Sequence, residues 1–191
     1  MQRKLKQMPT DKESLKELIK KTFVNAKYPG DNKLRNSDMG DEPYLLEQEF
    51  RGKTDWQSLD PSFIDRSPDG FGTALSFFSD EAFRFYLPAF LIADIDNKLM
   101  IAQPVFYLHY GLDNESKDKY VNPRLYGNET WFELKQRQFS VFNKKEAESI
   151  VAYLRYILES GRMVEFQSKK VEEALNNYWL EKAENSIDEN R

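Results

Sequence analysis

His109, in the run VFYLHYG, is the lone histidine of the chain and the one side chain whose ordinary pKa lies near neutrality. A serine triad would need it as base, yet no G-x-S-x-G elbow occurs to supply the nucleophile, so His109 reads as a packed or hydrogen-bonded residue among aromatics. The stretch Asp65-Arg66-Ser67-Pro68-Asp69-Gly70 imitates the start of a calcium loop, with oxygen-bearing residues at positions 1, 3 and 5 and glycine at 6. Position 8 is Gly72 and position 12 is Ser76 where a bidentate glutamate belongs, which argues against calcium. Gly70-x-Gly72 lacks the third glycine of a dinucleotide site, and no GxxxxGK[ST] phosphate loop occurs. Asp94 with Asp96, and Asp38 with Asp41 and Glu42, offer acid–base or magnesium chemistry. Residues two apart on a helix face different ways, however, and acidic loops are ordinarily just solvated. The chain has no cysteine, which removes thiolate nucleophiles, disulfides and cysteine-ligated metals. No catalytic residue, metal site or cofactor is expected.

Arg84 carries more promise, because it lies amid aromatics one turn before Pro88. One reading gives it an ion pair with Asp80, four residues back, and a stem packed on rings. The functional reading joins Arg84 and Tyr86 to the turn Tyr28-Pro29-Gly30-Asp31 as a small recognition site for a carboxylate or peptide group. The candidate binding residues are therefore Arg84, Tyr86, Tyr28 and Asp31.

These residues need a scaffold, and its centre is LSFFSDEAFRFYLPAFLIADID, from Leu75 to Asp96, with six aromatics between Phe77 and Phe90. Ser79 reads as its N-cap, with Asp80 and Glu81 in the first turn where the helix dipole favours negative charge. Pro88 either kinks this helix or splits it, since a proline in a helix interior costs about 3 kcal/mol. Thr10 with Glu13 forms a capping box ahead of a first helix running to Lys27, which ends at Tyr28-Pro29. Pro43 and Asp60-Pro61 open two short helices, and Leu99 to Tyr110 reads as helical although Pro104 interrupts it. Residues 111–128 form a long polar loop of the kind that is functional or partly disordered. Trp131, Phe132 and Leu134 begin another helix, and Asn143 with Glu146 caps one over Lys144 to Ser160. Val171, Ala174, Leu175, Tyr178 and Trp179 mark the last helix, with fraying expected from residue 181. The expectation is a single compact all-α domain of about six or seven helices over residues 10–183. A flexible basic arm (residues 1–9, with Arg3, Lys4 and Lys6) precedes it and a frayed tail (184–191) follows.

Composition narrows the partners. Among 191 residues, 28 are basic and 32 acidic, a net charge of -4, which leaves no broad positive footprint for nucleic acid. The longest uncharged apolar run, Phe85 to Ala93, is far short of the roughly 20 residues that span a bilayer. The basic start MQRKLKQMPT has no apolar h-region behind it, so a secretory signal is not expected and the cytoplasm is the expected compartment. Aromatics reach 14 %, enough for a core of flat rings and for protein recognition.

The chain resembles an uncharacterised bacterial family of unknown function. The resemblance rests on Tyr28-Pro29-Gly30-Asp31, on Phe50-Arg51-Gly52-Lys53 with Trp56, and above all on LSFFSDEAFRFYLPAFL; Phe142-Asn143-x-x-Glu146 leading into IVAYLRYI and Tyr178-Trp179 extend it. It spans most of residues 28–179, with Glu146 standing where the resemblance leads one to expect glutamine. A family without an established activity lends no catalytic residues. The expected function is a non-enzymatic binding or regulatory module for another protein, in one version an immunity-type partner; the rival is an enzyme acting on a small molecule through carboxylates, Arg84 and tyrosines.

Overall fold

Residues 11–185 are described by the computed structural model, in which α-helices form around the apolar stripes and caps that the sequence carries. The first, α1 (Lys12–Phe23), is capped by Asp11, whose carboxylate accepts the Ser14 amide at 2.9 Å. Thr10, the expected cap, and the basic arm lie outside the described residues, as does the tail beyond residue 185. Helix α1 also stops four residues short of Lys27, well before the Tyr28-Pro29 restriction applies.

Helices α2 (Glu42–Phe50), α3 (Pro61–Arg66) and α4 (Ala74–Phe77) follow. Pro43 lies in the first turn of α2, and Asp60 caps α3 by accepting the Ser62 and Phe63 amides. The central helix α5 (Asp80–Ile95) begins at Ser79, whose hydroxyl accepts the Ala82 amide at 3.1 Å. It runs unbroken through Pro88, so the proline does not divide it. Eleven of its sixteen residues are buried, Pro88 among them, which places protein on all sides of the helix. Burying one large apolar side chain contributes about 1.5 to 3 kcal/mol, so Phe85, Leu87, Phe90 and Leu91 together outweigh the proline's cost.

The run from Leu99 is helical only in α6 (Pro104–His109): Pro104 starts that helix instead of interrupting one. The preceding turn is held by buried Asp65, whose Oδ1 accepts the amides of Met100, Ile101 and Ala102 at 2.9, 2.8 and 3.0 Å. This is what the calcium-like stretch does: its first carboxylate ties α3 to the chain after α5. The polar stretch 111–128 is ordered, with a 3-10 turn at Asn114–Lys117, the short helix α7 (Pro123–Tyr126) and an isolated bridge between Tyr120 and Thr130. Asn177 pins its start by donating to the Leu112 carbonyl at 3.0 Å.

Helix α8 (Trp131–Phe139) carries a Thr130/Glu133 capping box, and α9 (Lys144–Glu159) the expected Asn143/Glu146 box. The last rod is α10 (Glu165–Ala174), a π-helical turn at Leu175–Trp179 and α11 (Leu180–Asn185), which stays helical with Ala183 buried where fraying was expected. Trp179 donates from Nε1 to the Leu108 carbonyl at 2.8 Å and packs on Phe139 and Phe142. Helix α5 contacts α1, α3 and α6, while α9 packs against α1, α10 and α11. Six helices of nine residues or more carry this all-α domain among the described residues, and two isolated bridges are its only β pairing there.

Asp65→Ala would leave three backbone amides unpaired, one of them buried. We expect it to lower stability by about 2 to 4 kcal/mol, read from urea denaturation, with amide exchange accelerating at residues 100–102.

Candidate functional site

Of the four residues singled out in the sequence, Tyr28, Asp31 and Tyr86 lie together and Arg84 stands apart. Tyr28 donates its hydroxyl to Asp31, and Asp31 also accepts the Gly52 amide at 2.8 Å, so the 28–31 turn is stitched to the end of α2. Burial and this donation push the Tyr28 phenol up to about 12, while the hydrogen bonds from Tyr28 and Gly52 hold the Asp31 carboxyl below its ordinary value. Tyr86 is close by through Phe85, whose ring lies 5.5 Å from that of Tyr28 and 4.8 Å from that of Tyr86. It is fully buried between Phe50 and Phe78, and its hydroxyl donates to the Lys53 carbonyl at 2.9 Å.

Arg84 points elsewhere, as residues two apart on a helix do. Its partner is Glu146 of α9 instead of Asp80: Nε donates to both carboxylate oxygens at 3.0 and 2.9 Å, and Nη2 donates to Oε1 at 2.9 Å. The Glu146 side chain is 2 % exposed and also closes the α9 capping box on the Asn143 amide, while Arg84 is 35 % exposed. The acid pairs separate likewise: Asp94 accepts from Tyr153 at 2.6 Å on one side, and Asp96 pairs with Lys12 and Lys16 of α1 at 3.0 Å on the other.

A different set of residues forms a concavity. The first turn of α5, α6 and α8 enclose a cleft of about 390 Å³ walled by rings, including Phe83, Phe106, Tyr110, Trp131 and Phe139. Phe106 and Tyr110 stack at 5.1 Å on its rim, 41 % and 38 % exposed, and Trp131 meets the edge of Tyr110 at 5.3 Å. Helix α8 supplies Trp131, Leu134, Lys135, Gln138 and Phe139, an i, i+3, i+4, i+7, i+8 stripe with one lysine set inside it. That stripe was the available sequence signal, and it is visible only when Lys135 is counted with its apolar neighbours.

Two opposite charges line the cleft without pairing. Among the described residues the Asp80 carboxylate makes no hydrogen bond, and burial, reinforced by Glu81, pushes its pKa up. Lys135 donates to Gln138 Oε1 at 2.9 Å and sits 5.5 Å above the Phe139 ring; burial draws its amine down to about 8, against the opposing pull of Asp80. Gly111, at φ +83°, makes room for it: a Cβ there would stand 2.6 Å from Lys135 Cγ. Behind the rim ring Phe106 lies His109, buried, with its pKa lowered by burial and no partner for Nδ1 among the described residues. The arrangement offers flat apolar walls, one hydrogen-bond donor of positive charge and one acceptor of negative charge. Among the described residues no three His, Cys, Asp or Glu side chains group to hold a metal, and no helix is long and apolar enough to cross a membrane.

Comparison with known families places this architecture. A profile of a family of unknown function, DUF6714, matches residues 11–183, which is nearly the whole described chain. The chain belongs to DUF6714. No curated protein and no solved structure matches it. For this DUF6714 member the match supplies an extent and no chemistry, so the site must be argued from its own geometry.

Two substitutions test that geometry. Arg84→Ala strands a buried carboxylate and is expected to cost about 3 to 5 kcal/mol; adding Glu146→Gln, which keeps the capping box, should restore more than half of it in thermal melts. For Lys135 the folded pKa lies below the unfolded value of 10.5, so the unfolded chain holds more protons between about 8 and 10.5 and stability rises with pH across that window. Lys135→Met therefore stabilises at pH 7, on the order of 1 to 3 kcal/mol, and the gain shrinks as pH approaches 10.5.

Proposed function

We propose that this chain is a non-enzymatic binding module that recognises a segment of a partner protein in the aromatic cleft between α5, α6 and α8. The observation that carries the reading is a pair of opposite charges, Asp80 with no hydrogen bond among the described residues and Lys135 with only Gln138, set within ring walls that open through two exposed aromatics. Holding both groups partly out of water costs stability, and a ligand that hydrogen-bonds them recovers it. Rings at a concave surface supply apolar contact area with little rotamer entropy to lose, which suits a protein-recognition anchor. In one version of this reading the chain is itself an immunity-type or regulatory partner for the protein it binds. The Arg84–Glu146 pair supports it from behind by joining α5 to α9, and the Tyr28–Asp31–Gly52 stitch holds the 28–31 turn, whose Tyr28 ring packs on Phe85 of α5, to the end of α2.

A second reading, an enzyme acting on a small molecule, draws on Asp80, a cleft carboxyl whose pKa burial raises, the direction that suits general acid–base work. It requires turnover that is lost in Asp80→Asn, in a screen of small carbonyl and ester compounds.

The binding reading is tested by selecting a displayed random peptide library against the protein and counter-selecting on the Phe106→Ser/Tyr110→Ser variant. Both rings are exposed enough to change without unfolding the chain. Enriched peptides should share an apolar anchor and bind the variant at least tenfold more weakly in calorimetric titration. Absence of selective enrichment, or binders equally tight to the variant, overturns the reading.

A further inference from the structure

We propose that the cleft captures the free C-terminus of a partner polypeptide, with the last side chain between the rings, its α-carboxylate on Lys135 and its backbone N–H on Asp80. The inference rests on the binding reading above and names the part of the partner that is recognised.

The protein leaves hydrogen-bonding capacity open on both charges. The Lys135 ammonium has three N–H donors and gives one to Gln138; among the described residues the other two find no acceptor, and no carboxylate stands within ion-pair distance. Asp80 lines the same concavity with its carboxylate unbonded among the described residues. A ligand that satisfies both presents an anion and, close to it, a hydrogen-bond donor. A polypeptide C-terminus has this combination: an α-carboxylate and, on the same residue, an amide N–H. A charge-assisted bond between ammonium and carboxylate in a partly desolvated cleft is stronger than its neutral counterpart, which makes it the discriminating contact.

The shape agrees with the charges. About 390 Å³ lies at the small end of ligand clefts, room for a side chain and a terminus and too little for a folded element. The walls are rings from three helices, so the accepted side chain is apolar and flat or branched. Upstream residues leave over Phe106 and Tyr110, the two rings exposed at the rim, and this distinguishes a chain end from a free amino acid, which would not reach them. Gly111 contributes by keeping the Lys135 stem in place without a Cβ to displace it.

The test uses acetylated hexapeptides ending in phenylalanine, tryptophan or leucine, each made as the free acid and as the C-terminal amide, with free phenylalanine alongside. Binding to the full chain is read by calorimetry and by amide chemical-shift mapping. The free acids are expected to bind at the cleft, with amidation weakening them at least tenfold; Lys135→Met should abolish the difference between acid and amide. That variant is expected to be more stable than the parent at pH 7, so loss of binding cannot be ascribed to unfolding. Equal affinity for acid and amide, an acid preference that survives Lys135→Met, or free phenylalanine binding as tightly as the hexapeptides each overturns the inference. If the hexapeptides fail while library peptides with blocked ends still bind the rings, the inference falls and the binding reading stands. If neither binds, both fall.

Discussion

A carboxylate almost wholly withdrawn from water sits where α9 begins, and the domain is arranged so that it is never alone. Glu146 accepts from the backbone at its own helix start and from the Arg84 guanidinium through three contacts. The arginine reaches it from α5, most of whose residues are buried, so one ion pair joins the two longest single helices of the fold. A buried pair of this kind is weak as a source of net stability, because desolvation offsets most of the attraction. Its force lies in what it forbids: any arrangement of α5 against α9 that separates the two groups leaves an uncompensated charge. The orientation of α5 then dictates where Tyr86 is buried and where the first-turn residues Asp80 and Phe83 open onto the cleft.

The fold was legible in the sequence wherever its determinants were local. Ser79, Asp60, Pro43 and the Asn143/Glu146 box each announce a helix within four residues, and each is found as read. The errors fell where a distant partner decided the matter. Pro104 looked like an interruption because the anchoring of the preceding turn by Asp65, 35 to 37 residues away, leaves no mark on the local pattern. Stretch 111–128 read as a long polar loop, functional or partly disordered, because a constraint on it comes from Asn177 on the last helical rod. The Asp80–Arg84 spacing invited a pairing that a carboxylate 62 residues away takes instead.

The candidate site was less legible than the fold for a related reason. Arginine and tyrosine drew attention as residue types, yet Tyr86 and Tyr28 use their hydroxyls to fasten backbone and turn, tasks that demand the same chemistry as recognition. The cleft gathers residues from four helices, α4, α5, α6 and α8, and only the α8 wall has a one-dimensional signature. Lys135 within that stripe reads as an ordinary solvated lysine until the rings opposite it, from α5 and α6, are placed.

The π-helical turn at Leu175–Trp179 has a consequence for how the last rod measures its own length. Val171, Leu175, Trp179 and Ala183 are all buried and stand four residues apart. An α-helix turns about 100° per residue, so a strict four-residue spacing rotates by about 40° at each step and would leave the core within three steps. The wider π turn absorbs that drift and returns Ala183 to the interior. The rod thus behaves as a vernier, its two α segments offset by a single residue that only the widened turn reconciles. Deleting one residue there would swing α11 by about a quarter turn and bring its charged side chains toward α9. The join between α10 and α11 tolerates changes of residue type far better than changes of count.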